Sequence, residues 1–336
     1  MNVPVVLMTA PMHPSVEAAL SGHVILHRLW EQDDPKAFLS AQGDTIAGVA
    51  TSTLYGSTGD DLFARLPNLR IVSSFGVGYD NVDAGAAARR GITVTNTPGV
   101  LDEEVADLAV ALLLATVRRL PQADRFVREG RWRVGAFPLS PTLRGRRVGI
   151  LGLGAIGKAI ARRLEGFDVS VAYHGRHRQQ GVAYPWHPTP VALAEACDVL
   201  VAILPGGAGT RHIVDEAVLR ALGPDGVLVN VARGSVVDQP ALIRVLEEGA
   251  LLAAGLDVFA DEPDVPEALL ALPNVVVLPH IGSASEHTRA AMGRLVAENL
   301  LAFFETGRAL TPVAETPPAA PSHIRRAGRG TGEAGG

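Results

Sequence analysis

The sequence predicts an α/β protein built as two parallel-sheet domains. Short apolar runs alternate with helical patterns along most of the chain, as β-α units require. At 336 residues the chain is too long for one small core, so two domains are expected. Residues 147–178 form a complete β-α-β unit with a glycine-rich first turn.

In chain order, residues 3–8 read as an apolar strand, Val16 to Leu20 as a short helix face and His23 to Leu29 as another strand. Ile46 to Ala50 is a further element, followed by the turn-rich stretch from Thr51 to Gly56. Asp60 to Leu66 is helical and stops at Pro67-Asn68; Leu69 to Ser74 is a strand. Ala84 to Arg90 is a helix closed by Gly91, Ile92 to Thr95 a strand, and Pro98-Gly99 a break. This alternation predicts a small parallel domain. Its loop Phe75-Gly76-Val77-Gly78-Tyr79-Asp80 exposes backbone N–H groups that suit an anionic group, although a plain turn fits those residues as well.

Leu101 to Leu120 reads as one long helix, with Glu103 and Glu104 early and Arg118 and Arg119 late, complementing the helix dipole. Its face of Val105, Leu108, Leu112 and Leu113 is more apolar than one domain needs, so it is expected to connect domains and to form a subunit interface. Arg128 to Trp132 and the link Gly135 to Pro141 lead to the central strand.

That strand, Val148 to Leu151, runs into Gly152, Gly154 and Gly157 at the spacing G-x-G-x-x-G. Gly152 permits a tight turn, Gly154 a close approach to pyrophosphate, and Gly157 close packing of helix on sheet. The helix that follows has Ile156, Ile160 and Leu164 on one face, and Val169 to Tyr173 is the second strand. This context identifies a dinucleotide-binding Rossmann turn, with Leu153, Ala155 and Ile156 between the glycines. An NAD site places a carboxylate at the end of the second strand, for the ribose hydroxyl. Here that end reads Tyr173-His174-Gly175-Arg176-His177-Arg178, and no carboxylate lies between Asp168 and Glu195. His174 and Arg176 suit a 2′-phosphate, so NADP(H) is the expected cofactor, with NAD(H) as the alternative.

Beyond it, His187 to Ala196 carries a short helix and Val199 to Leu204 a strand, followed by Pro205-Gly206-Gly207 and Thr210. Glu216 to Leu222 is a helix and Gly226 to Val231 a strand, with Ala232-Arg233-Gly234-Ser235 at its carboxyl end. Pro240 to Glu248 is helical, and Ala253 to Phe259 is a strand containing Asp257. Asp261-Glu262-Pro263 comes next, and the last strand, Val275 to Leu278, ends at Pro279-His280-Ile281-Gly282-Ser283. Glu286 to Glu305 is a long helix returning toward the first domain. From Thr311 onward Pro, Ala, Gly and Arg dominate, which predicts a disordered tail.

Arg233, Glu262 and His280 therefore fall at or beyond the carboxyl ends of successive strands, where open α/β sheets bind ligands. Hydride arriving at a carbonyl carbon leaves charge on the oxygen, which needs a proton. A histidine donates it, a carboxylate on the second ring nitrogen orients the imidazole and stabilises its charged form, and an arginine polarises the carbonyl.

Composition narrows the alternatives. A net charge of −5 provides no general attraction for nucleic acid or anionic membrane. The single cysteine, Cys197, fits a reducing compartment and reads as a small packed residue. No apolar run reaches the ~18 residues of a membrane span, and Met1 to Met8 lacks a signal-peptide pattern, so a soluble cytoplasmic protein is expected.

The segments Ser73 to Asp80, Gly152 to Gly157, Asn230 to Gly234, Gly255 to Phe259 with Glu262-Pro263, and Pro279 to Ser283 resemble the D-isomer-specific 2-hydroxyacid dehydrogenases, in the family's order over about residues 40–305. The likeness is greatest to the glyoxylate/hydroxypyruvate reductase branch. The resemblance implies that Arg233, Glu262 and His280 are catalytic, and that Val77, Gly78, Arg233 and Ser283 hold a substrate carboxylate. It implies cofactor contacts from Pro205, Thr210, Val231, Ala232, Arg233, Asp257, His280 and Gly282, and no metal. It implies a flavodoxin-like substrate domain (1–98 and 286–316) interrupted by a Rossmann domain (99–285), with 317–336 as the tail, and a homodimer. The family's formate dehydrogenases carry Gln where Glu262 stands, which argues against formate. The expected activity is NADPH-dependent reduction of glyoxylate and hydroxypyruvate. A bulkier 2-keto acid such as 2-ketogluconate or hydroxyphenylpyruvate is the alternative, with Leu54, Trp132 and Phe137 around the pocket; a nucleotide-sensing, corepressor-like protein is another.

Overall fold

Two parallel sheets organise the chain, and the structure, a computed structural model, describes residues 3–52 and 56–316. The first sheet is assembled from β1 (Val5–Met8), β2 (Ile25–Arg28), β3 (Ile46–Ser52), β4 (Ile71–Phe75) and β5 (Thr93–Thr95). Its order β2-β1-β3-β4-β5, parallel at every pairing, is the flavodoxin-like one. The helices between are α1 (Ser15–Leu20), α2 (Pro35–Gln42), α3 (Asp60–Arg65) and α4 (Ala84–Arg89). Period-two side chains feed two cores: β1 turns Leu7 toward α2 to α4, and Val6 and Met8 toward α1.

The crossover predicted as one helix is two. The first, α5 (Asp102–Val117), ends where Arg119 takes a left-handed φ of 55°, and α6 (Leu120–Arg128) starts in a new direction. The apolar surplus on α5 is consumed within the chain, because Val105, Leu112 and Leu113 are buried and Leu108 partly so. The exposed apolar side chains lie instead on and after α6, at Leu120, Val127, Trp132, Val134 and Leu139.

The second sheet contains β6 (Arg147–Leu151), β7 (Ser170–His174), β8 (Trp186–His187), β9 (Val199–Ala202), β10 (Val227–Asn230), β11 (Ala253–Leu256) and β12 (Val275–Val277). They lie in the order β12-β11-β10-β9-β6-β7-β8, all parallel, with the reversal between β6 and β9. One face packs α5 and α7 (Ala155–Leu164) through Leu112, Leu113, Ile160 and Leu164 onto Val148, Ile150 and Val229. The other face packs α8 (Pro190–Glu195), α9 (Glu216–Leu222) and α10 (Gln239–Glu247). Short α11 (Glu267–Leu270) precedes β12. Burial on both faces is why strands such as Val227-Leu228-Val229 are continuously apolar.

The last helix, α12 (Glu286–Thr306), leaves the second sheet and covers the first. Met292, Val296, Ala297 and Leu300 join the core under Ile71, and Ser73 donates to the Val296 carbonyl at 3.1 Å. Ser285 caps α12 by accepting from the Thr288 amide, and its hydroxyl donates to Glu104 at the start of α5. A cap of this kind contributes about 1 kcal/mol, here at the joint between the two sheets.

Thr311 to Thr316, expected to begin the tail, are instead docked along β5: Val313 donates to the Val94 carbonyl at 2.9 Å, and Asn299 accepts from Leu310 and Thr311. Backbone pairing and one apolar anchor, Val313, override the tail-like composition. The rest of the predicted tail, residues 317–336, lies outside the described residues.

Candidate active site

A cleft of about 260 Å³ opens where loops at the carboxyl ends of both sheets meet. From the first sheet, β4 delivers Phe75, Gly76, Val77 and Gly78. From the second come Gly154, Ala155, Ile156 and Gly157 after β6, and Pro205 after β9. Val231, Ala232 and Arg233 follow β10, Asp257 follows β11, and His280, Gly282 and Ser283 follow β12.

The nucleotide cradle sits at the reversal between β6 and β9. Gly152 has φ +106°, and a Cβ there would lie 2.6 Å from the Ile203 carbonyl oxygen. A Cβ on Gly157 would lie 2.2 Å from the Gly152 oxygen, so the helix approaches the turn closely. Gly154, in contrast, faces open space, with no atom within 4 Å of a Cβ. It precedes α7, whose first amides have no side-chain cap. Unpaired amides at a helix N-terminus beside open space fit a pyrophosphate. Leu153 is buried beneath the turn. His174, at the end of β7, gives Nδ1 to the His187 carbonyl oxygen at 2.8 Å, leaving Nε2; Arg176 is exposed just beyond. Neither lines the cleft itself. Thr210 closes its own loop, donating to the Pro205 carbonyl at 2.7 Å.

At the other end, His280 Nδ1 lies 2.7 Å from Glu262 Oε2, with both side chains less than a third exposed. An ionised carboxylate only accepts, so the shared proton rests on Nδ1 and Nε2 is available to the cleft. Glu262 Oε1 accepts from the Phe259 amide at 2.9 Å, which locks the carboxylate. Burial opposes ionisation of Glu262. The His280 bond, the Phe259 amide and the fields of His280 and Arg233 outweigh it and hold the carboxyl below the usual carboxylate range.

Asp257 is 2 % exposed and accepts from the Ile281 and Gly282 amides at 2.8 Å each. It thereby staples the loop that carries His280, whose φ is +53°. Burial pushes the Asp257 carboxyl up, while those two amides pull it down.

Arg233 is held at two points: Nε donates to Asp80 at 3.0 Å and Nη1 to the Ala232 carbonyl at 2.7 Å. Its Nη2 points at the β4 loop, where a Cβ on Gly78 would lie 1.8 Å away. A side chain at position 78 would force the guanidinium to shift from this position.

Three expectations need correction or completion. Trp132 is 68 % exposed, and Phe137 packs on Phe126 at 5.4 Å; neither lines the cleft, because the break at Arg119 turns their segment away. Leu54 lies outside the described residues. The wall near Val77 is made instead by Leu101, Val105, Arg289 and Met292, from the starts of α5 and α12. Sequence reading missed Arg289, which stacks over Phe75 at 5.6 Å, and the contact of Asp80 with Arg233; neither forms a motif without the fold. Cys197 is buried, and that burial pushes its thiol up to about 12. Among the described residues no group of His, Cys, Asp or Glu could hold a metal ion.

A dinucleotide cradle that shares one cleft with an oriented imidazole and a guanidinium has the parts of an oxidoreductase that moves hydride to or from a carbonyl. Comparison with known proteins narrows the class. Residues 110–282 match the D-isomer specific 2-hydroxyacid dehydrogenase, NAD binding domain. Glyoxylate/hydroxypyruvate reductase A of Arabidopsis thaliana is 47 % identical over 308 residues, covering 92 % of this chain and 98 % of that protein. Hydroxyphenylpyruvate reductase of Plectranthus scutellarioides is 45 % identical with the same coverage. A crystal structure of an NADPH-dependent glyoxylate/hydroxypyruvate reductase from Sinorhizobium meliloti, in complex with NADP and malonate, superimposes with a TM-score of 0.90. It is 53 % identical and covers 95 % of this chain and 99 % of that one. The chain belongs to the D-isomer specific 2-hydroxyacid dehydrogenases and is an NAD(P)-dependent oxidoreductase.

Proposed function

We propose that the protein reduces small 2-keto acids, glyoxylate and hydroxypyruvate foremost, to D-2-hydroxy acids with NADPH. The observation that carries this reading is the His280–Glu262 pair at 2.7 Å, opening into the same cleft as Arg233 and the Gly154 turn. When bound, the reduced nicotinamide supplies hydride to the keto carbon. The backbone at Val77 and Gly78, with Arg233, holds the substrate carboxylate and the keto oxygen. His280 Nε2 delivers the proton to that oxygen, and Glu262 keeps the ring oriented and stabilises its charged form. Ser283 borders the substrate end, and Pro205, Val231, Ala232, Asp257 and Gly282 line the nucleotide side.

His174, Arg176 and the lack of a carboxylate beyond β7 support NADPH, as does the NADP complex of the Sinorhizobium relative. In a panel of 2-keto acids assayed with both nucleotides, glyoxylate and hydroxypyruvate should turn over fastest. Arginine contacts to a 2′-phosphate should favour NADPH about tenfold or more in kcat/KM. A higher kcat/KM with NADH would refute the cofactor assignment. Exclusive turnover of hydroxyphenylpyruvate or 2-ketogluconate would replace the substrate assignment. Failure to turn over any of them would favour a nucleotide sensor.

We assign residues 1–98 with 286–316 to the substrate domain and 99–285 to the nucleotide domain; the seat of α12 on the first sheet supports this. Among the described residues no helix is long and apolar enough to cross a membrane. The lone buried cysteine supports placement in the reducing cytoplasm. The exposed Leu120, Val127, Trp132, Val134 and Leu139 support a homodimer through the α6 segment. Light scattering should give twice the chain mass, and a monomer at micromolar concentration would contradict it.

A further inference from the structure

We propose that Asp80 is a positioning residue for Arg233, and that their ion pair couples the substrate loop to the nucleotide domain across the cleft. This rests on the reading of Arg233 as the group that grips the substrate.

Asp80 follows β4 of the first sheet, two residues after Gly78; Arg233 follows β10 of the second. Their side chains meet at 3.0 Å, Nε to Oδ1, and are 21 % and 37 % exposed for Arg233 and Asp80. A third loop closes around the pair. A Cβ on Gly206, after β9, would lie 3.1 Å from Arg233 Cγ and 3.2 Å from Asp80 Cγ. Position 206 thus makes room for a contact that joins the two sheets.

An ion pair this exposed contributes little to stability, so its consequence is geometric. An arginine on a cleft wall has many rotamers, and few of them aim a fork at the substrate. Asp80 takes Nε and the Ala232 carbonyl takes Nη1, which leaves Nη2 directed at the Gly78 loop. The same loop carries both Asp80 and the backbone amides at Val77 and Gly78, so the guanidinium and those amides move together. A substrate then meets a preorganised pair of donors. If the loop drew away, the guanidinium would lose its aim along with its partner.

The test uses the full chain loaded with NADPH and two readouts: glyoxylate reduction, and binding of oxalate, a carboxylate beside a carbonyl that accepts no hydride. Misplacement of a positioned group typically costs up to a hundredfold, so Asp80→Ala should lower kcat/KM and oxalate affinity about 30- to 100-fold, with NADPH affinity unchanged. Asp80→Asn keeps an acceptor without the charge and should lose about fivefold. In an Arg233→Ala background, Asp80→Ala should change neither readout by more than about twofold, because its partner is gone. Wild-type binding of oxalate by Asp80→Ala, or an undiminished loss in the Arg233→Ala background, would overturn the proposal. If Asp80→Ala fails to fold, Asp80→Asn at wild-type level overturns it instead. Absence of keto-acid turnover in the wild type would remove the proposed reaction, while oxalate binding would still decide the role of Asp80.

Discussion

Replacing His280 with alanine is expected to lower kcat for glyoxylate reduction by about a thousandfold, in the range of a lost general acid, while NADPH binding stays near its wild-type value. The imidazole lines the cleft and is held through Nδ1, so Nε2 is the group placed to deliver a proton. The nucleotide cradle at Gly152 to Gly157 follows a different strand from His280. Steady-state assays and nucleotide fluorescence quenching separate the two effects; a kcat within tenfold of wild type would end the assignment.

The pH dependence follows from the partner. Glu262 is held below the usual carboxylate range, so its carboxylate persists across neutral pH. A depressed carboxyl contributes its link to His280 above the unfolded-state range and loses it as pH falls through the folded value. The acidic fall in activity from this pair therefore lies below the ordinary range of glutamate. Glu262→Gln keeps a hydrogen-bond acceptor for Nδ1 but removes the group that titrates, so this acidic fall in kcat/KM should disappear. An unchanged acidic limb would mean that Glu262 only packs.

Arg233→Lys is expected to lower kcat/KM for glyoxylate by about a thousandfold, although the charge is retained. The guanidinium is tied by Nε and Nη1 while Nη2 reaches the Gly78 loop. A lysine ammonium is a single point of donation and cannot span the three directions. The proposed reaction has the same fork grip the carboxylate and polarise the carbonyl, so the loss should appear in both KM and kcat. Near-normal kcat/KM in Arg233→Lys would show that charge suffices and that the fork geometry is idle.

Sequence and structure agree where local chemistry decides. The G-x-G-x-x-G turn between apolar strands was legible because each glycine answers a backbone demand: a positive φ at Gly152, open space at Gly154 and a close helix at Gly157. Helix α2 also had a local signal, Asp34 followed by Pro35, and its cap is made by Asp34 accepting from Lys36 and Ala37. Strand β8 had none, since two residues carry no periodicity.

By itself the sequence determined the two-sheet class, the nucleotide turn, and the arrival of Arg233, Glu262 and His280 at one sheet edge, because strand ends and periodic runs are local properties. Only the tertiary structure decided that a left-handed Arg119 turns Trp132 and Phe137 out of the cleft, and that Thr311 to Thr316 dock on β5. It alone paired Asp80 with Arg233, 153 residues apart. Contacts of that kind depend on how two separately formed sheets meet, and no periodicity along a chain encodes the distance between them.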